Sequence, residues 1–153
     1  MKMDAGKEAE VWRRVRGEQS ATRADPIEDI QGLILEEWTA AATYLQLSRR
    51  MQGKEAAARC QQLFREEQAH VACLRGIYTL VKGVKPASHN VPVEQERVEI
   101  ALRKCYGRQM RMLMEYEKRS ADREYGPVFA RLAEQEREHC RMVLELIGSL
   151  GQK

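Results

Sequence analysis

Apolar side chains recur along most of this chain at helical spacing, three or four residues apart. Four long stretches carry the pattern. Asp25 can cap the first of them, Pro26 suits a first helical position, and Glu28 stands three residues after the cap. The spacing predicts a helix from there to about Gln52, broken by Gly53. A second helix is predicted from about Lys54 to Val81, stopping at Gly83. The stretch Val84 to Pro92 holds two prolines, a serine and an asparagine and reads as a connection. A third helix is expected from about Val93 to Ser120. A polar turn around Asp122 to Gly126 leads to a fourth, ending near Gly148. Helices this long must bury an apolar stripe against one another. The predicted fold is all-α, two helical hairpins joined by one long link, with a bundle over residues 25–150. Before it lies an N-terminal arm, residues 1–24. Val11, Trp12 and Val15 make a short amphipathic segment of Lys7 to Val15, which suits a helix or a partner-binding arm.

Composition sharpens this picture in a few places. The 153 residues are 32% charged and 43% hydrophobic, and only 6% aromatic. A net charge of +3 is too weak an argument for nucleic acid as a partner. Cys60, Cys73, Cys105 and Cys140 form no CxxC pair, which excludes a zinc ribbon or an iron–thiolate knuckle. Reduced, mostly buried thiols are expected. The charged opening Met1 to Arg16 lacks the apolar run of a signal peptide, and no segment reads as a membrane span. The expectation is a cytoplasmic protein.

The candidate chemistry lies in two of the three histidines. Glu67-x-x-His70 and Glu136-x-x-His139 place an acid and an imidazole on one helix face. Leu63, Leu74 and Ile77 stand at −4, +7 and +10 from Glu67. Leu132, Val143 and Leu146 stand at the same offsets from Glu136. Each pair therefore sits in the middle of an apolar stripe, where an unpaired charge is costly. The two hairpins look like copies of one unit. In the first helix, Glu37 shares a face with Ile30, Leu33, Ala40, Ala41, Tyr44, Ser48 and Met51, while Glu36 points about 100° away, toward solvent. Oxygen from glutamate with nitrogen from histidine suits iron or manganese. Tyr44 would place a phenol over such a site, to donate a hydrogen bond or yield an electron. Simpler readings are a core tyrosine bonded to a buried acceptor, and Glu–His pairs that serve only as hydrogen-bond networks. His89, in the link, has no evident role.

Glu37 with Tyr44, Glu67-x-x-His70 and Glu136-x-x-His139 together resemble the ligand pattern of the ferritin-like di-iron carboxylate proteins. The nearest type is the rubrerythrin di-iron domain. The resemblance spans roughly Ile27 to Leu150. It implies an antiparallel ferritin-like four-helix bundle, whose single long connection joins helices two and three. It also implies a centre of two iron ions, with manganese or zinc as alternatives, held by Glu37, Glu67, His70, Glu136 and His139. Glu67 and Glu136 would bridge. The activity implied is reduction of hydrogen peroxide or dioxygen, in a homodimer. The iron–thiolate module that often accompanies rubrerythrins is absent, so a separate electron donor is needed.

The pattern departs from the family in the third helix. An inward glutamate is expected there, on the face of Val98, Ala101, Cys105, Met112 and Tyr116. Cys105 and Gln109 lie near the centre of that face, and Glu115 lies about 100° away from Tyr116. The carboxylate is missing or displaced, leaving Cys105 as a soft ligand or Glu115 as substitutes. An incomplete site of this kind also fits a protein that binds or senses a metal without catalysis.

Overall fold

The computed structural model describes residues 29–88 and 90–151. The N-terminal arm, the Asp25–Pro26–Glu28 start and His89 lie outside them. Four helices make up the fold: α1 Ile30–Arg50, α2 Lys54–Lys82, α3 Val98–Arg119 and α4 Gly126–Ser149. The described residues contain no strand, and the architecture is an all-α four-helix bundle.

Local chemistry sets the helix ends. Arg49 and Arg50 occupy the last turn of α1, where cations oppose the helix dipole. Gly53 follows with φ +99°, a conformation that side chains with a Cβ avoid. Gly83 ends α2 in the left-handed region at φ +71°, its N–H bonded to the Thr79 carbonyl. Pro127 stands in the first turn of α4, and the Asp122 carboxylate accepts from the N–H groups of Glu124 and Tyr125 just before it.

Helix α1 packs along α2 and α3 along α4. Between these hairpins α1 flanks α3 and α2 flanks α4, so α1 stands diagonally opposite α4. Apolar burial falls into two clusters. One joins Ile30, Leu33 and Ile34 of α1 to Val71, Leu74 and Ile77 of α2, Met112, Leu113 and Tyr116 of α3, and Phe129, Leu132 and Ala133 of α4. The other joins Tyr44 and Leu47, Cys60 and Leu63, Leu102 and Cys105, and Met142, Val143 and Leu146. The first cluster thus holds the starts of α1 and α4 and the ends of α2 and α3. Helices α1 and α4 run one way, and α2 and α3 the other.

That arrangement makes the α2–α3 link travel the length of the bundle. Its course is marked by Asn90 and Val91 beside Trp38, Ala42 and Phe64, then by Pro92 and Val93 beside Thr39, Thr43 and Ala101. It also explains a correction. Helix α3 begins at Val98, not near Val93. At about 3.3 Å per residue, residues 83–92 alone would reach roughly 33 Å. The 22-residue α3 is itself about 33 Å long, which leaves no slack for a route over the surface. Residues 93–97 stay non-helical and supply it, with Glu94 and Glu96 paired to Lys104.

Candidate metal centre

Six polar side chains lie between the two apolar clusters: Glu37, Glu67, His70, Gln109, Glu136 and His139. None is more than 2% exposed. Polar groups buried this deeply need partners, and ionised ones need counter-charge.

The two histidines are held alike. His70 turns Nδ1 toward Glu136 Oε1 at 2.9 Å, with Glu67 Oε2 at 3.3 Å and Glu37 Oε1 at 3.5 Å. His139 turns Nδ1 toward Glu67 Oε1 at 2.8 Å, with Glu136 Oε2 at 3.4 Å. Each Nε2 points away from the carboxylates to an oxygen at the rim: Gln135 Oε1 at 2.8 Å for His70, Glu66 Oε2 at 3.0 Å for His139. Those oxygens accept, so each Nε2 carries a proton. Nδ1 is then the atom that meets the carboxylates, with either a proton or a cation between. The rings stack with centroids 5.2 Å apart.

The electrostatics follow from crowding. Burial alone would lower the His70 imidazole, but Glu136, Glu37 and Glu67 outweigh it and hold it well above its ordinary value. For His139 the same contest, with Glu136, Glu66 and Glu67 opposing burial, ends with the imidazole pushed up to about 12. Burial, then the charges of Glu67 and Glu136, raise Glu37. Burial also acts to raise Glu67, but bonds from Glu37, His139 and His70 bring it well below the usual range. The metal-free site therefore balances two imidazolium ions against ionised carboxylate, with Glu37 keeping its proton.

One feature of the donor set bears directly on a cation. Glu37 Oε2, Glu67 Oε2 and Glu136 Oε2 are fully buried and receive no hydrogen bond from any N–H or hydroxyl. A proton shared between Glu37 and Glu67 can serve two of them. A metal ion would give such oxygens the partner they lack. Ligand atoms of Glu67, His70, Glu136 and His139 lie within 4.8 Å of one another, so this buried group could hold a metal ion. Glu37 borders it through His70. No family of known proteins, no curated protein and no solved structure matches the chain. The centre must be read from its own residues.

Other residues stand apart from their first reading. Tyr44 is fully buried, yet its hydroxyl meets the amide of Gln109, whose Nε2 donates to it at 2.9 Å and to Glu67 Oε1 at 2.6 Å. Its link to the carboxylates is indirect. Gln109 fills the place where a carboxylate from α3 was expected. Glu115 does not replace it: its half-exposed side chain pairs with Arg119. Cys105 sits in the apolar cluster beside Tyr44, its thiol pushed up to about 12 chiefly by burial, and is not among the residues whose ligand atoms group together. Glu36 is half-exposed, as expected of a residue turned toward solvent, and pairs at 3.1 Å with Arg108 on α3. All four cysteines are unpaired, three of them buried. Among the described residues no helix is long and apolar enough to cross a membrane.

Tyr116, Gln109, Glu66 and Gln135 were missed as site residues. Tyr116 donates to Glu37 Oε1 at 2.5 Å. A signal for it was present. Glu37 and Tyr44 stand seven residues apart on α1, and Gln109 and Tyr116 stand seven apart on α3. Glu66 and Gln135 each precede a central glutamate.

Proposed function

We propose that this chain is a redox protein built around a buried metal centre. It takes up iron among Glu37, Glu67, His70, Glu136 and His139 and reduces hydrogen peroxide or dioxygen, in the manner of the rubrerythrins it resembles. The observation that carries the reading is the meeting of both Nδ1 atoms with three carboxylates, each with one buried oxygen that receives no hydrogen bond, in a layer closed to water. Bound there, iron supplies electrons and Lewis acidity.

The chain's own residues do the rest. Oxygen and imidazole donors with few soft atoms suit iron and manganese. Glu66 and Gln135 orient the imidazoles through Nε2, which fixes the atom presented to the ion. Each peroxide takes two electrons and two protons to become two waters. The protons enter along Glu66, whose side chain is 44% exposed, and His139. Gln135 offers no equivalent route, because an amide does not titrate. The electrons come from a separate donor. Tyr116 and Tyr44 hold Glu37 and Gln109 in place.

A second reading, a protein that holds metal without turnover, draws on Gln109, since an amide stands where a carboxylate from α3 would complete the set. Growth with ample iron, followed by metal analysis and spectroscopy, separates the two. A charge-transfer absorption that bleaches with reductant and returns with peroxide supports the enzyme. A bound but redox-silent metal supports the second reading. Absence of metal after such growth removes both and leaves a buried Glu–His network.

A further inference from the structure

The centre has an approximate twofold relation between hairpins, and it is broken at one ligand position. Helix α1 bears Glu37 and Tyr44, and α3 bears Gln109 and Tyr116 at the same spacing. Their bonds cross reciprocally: Tyr116 donates to Glu37, and Gln109 donates to Tyr44. Helices α2 and α4 repeat the relation. His70 meets Glu136, and His139 meets Glu67.

The two sides of the centre are therefore directly comparable. One is bounded by Glu37, His70 and the two central glutamates. The other is bounded by Gln109, His139 and the same two glutamates. Gln109 contributes no charge to its side. Its Nε2 is also committed to Glu67 Oε1, which occupies an oxygen a cation would otherwise use. Its buried Oε1 accepts from no donor, so a neutral oxygen remains for a second ion. In a water-free layer the attraction of a divalent ion to a carboxylate far exceeds that to an amide.

Resting on the metal-binding reading above, we propose that the centre offers two metal positions of unequal strength. The strong position lies on the Glu37–His70 side and the weak one on the Gln109–His139 side. The chain holds one ion tightly and a second only loosely, with residue 109 setting the inequality.

Calorimetric and optical titration of the metal-free full chain with cobalt(II) tests this. The wild type is expected to bind one ion at least about a hundredfold more tightly than the second, a change typical of altered ligand environments. Gln109→Glu should bring the second ion to within about tenfold of the first. Glu37→Gln should remove the tight step. Circular dichroism on each variant checks folding, and the wild-type titration and Glu37→Gln decide the matter even if a second buried acid at 109 prevents folding. Two ions of equal affinity in the wild type would overturn the inequality while leaving the metal reading intact. So would a tight step that survives Glu37→Gln. Failure of the wild type and of Gln109→Glu to bind any ion would instead overturn the metal reading itself.

Discussion

The hairpin α1–α2 and the hairpin α3–α4 present nearly the same residues to the centre, and their second helices are the more alike. Glu67-x-x-His70 and Glu136-x-x-His139 match in spacing, burial and bonding. The first helices differ in charge alone at one equivalent position, Glu37 against Gln109. The rim differs in the opposite sense, with Glu66 in the first hairpin and Gln135 in the second. Glu66 bonds His139, so the side with the Gln109 amide has a carboxylate behind its imidazole. Two environments of equal burial thus distribute their negative charge differently. Comparing them separates what charge contributes from what packing contributes.

The largest effect should come from the histidines the two halves share. His70→Leu or His139→Leu leaves Glu67 and Glu136 buried with one imidazolium between them in place of two. Removing one member of a buried charged set costs about 3–5 kcal/mol. Urea unfolding of the metal-free variants should show that loss for each, with the two values within about 1 kcal/mol if the halves are equivalent. A loss below about 1 kcal/mol for either would mean that its imidazole does not balance the carboxylates.

Acidity probes the same balance without mutation. An imidazole raised in the folded state stabilises it fully below its unfolded value near 6.5, and that contribution is lost as pH rises toward the folded value. His70 and His139 both act this way, and so does the raised Glu37 from its own lower starting point. Metal-free protein should therefore lose stability between about pH 6.5 and 9, by up to about 1.4 kcal/mol per pH unit for each of these three groups. A metal ion held there would replace the Nδ1 protons and the Glu37 proton, so its binding should tighten with rising pH and release protons. Calorimetry in two buffers of different ionisation enthalpy measures that release. A pH-independent metal affinity would show that neither the imidazoles nor Glu37 carry the proton that the ion displaces.

The turns of the hairpins differ as clearly as their centres. A Cβ at Gly126 would lie 2.5 Å from the Ser120 carbonyl oxygen, a backbone atom that cannot swing aside. At Gly53 a Cβ meets nothing within 4 Å, and only φ +99° resists it. Gly126→Ala should cost about 2–3 kcal/mol through forced displacement of the α3–α4 turn. Gly53→Ala should cost about 1 kcal/mol. Thermal melts of the two variants check the order, and a loss at Gly126 no larger than at Gly53 would show that the α3–α4 turn yields to the added Cβ.

Much of this was legible before any coordinates, for reasons that also explain what was not. Spacing within one helix decides which residues share its face, so the apolar offsets around Glu67 and Glu136 carried the site. Gly83 marked the end of α2 because its left-handed turn is a local preference. The start of α3 depends instead on how far the link must travel, which only the packed bundle determines. The partners of Tyr44 and Tyr116 lie on another helix and were equally hidden. Face angle alone also left Cys105 and Glu115 open as ligands. Cys105 then proved to sit one turn into the apolar cluster, and Glu115 at the surface with Arg119.

The finest distinction between the halves lies in their tyrosines. Both are fully buried, and each hydroxyl bonds a side chain from the opposite hairpin. Tyr116 serves Glu37, an acid whose burial makes every donor valuable. Tyr44 accepts from Gln109, a neutral amide that also bonds Glu67. Bonds to a charged or acidic group contribute about 1.5–3 kcal/mol, and bonds between neutral groups about 0.5–1.5. In metal-free protein Glu37 keeps its proton, which reduces the first figure toward the second. Tyr116→Phe should therefore exceed Tyr44→Phe by only about 0.5 kcal/mol without metal. If Glu37 ligates a bound metal it would be ionised, and the gap should widen to about 1 kcal/mol or more. Denaturation of both variants, with and without cobalt(II), measures the gap twice. A gap that stays constant on loading would show that Glu37 holds the same charge in both states, and so does not ligate the ion.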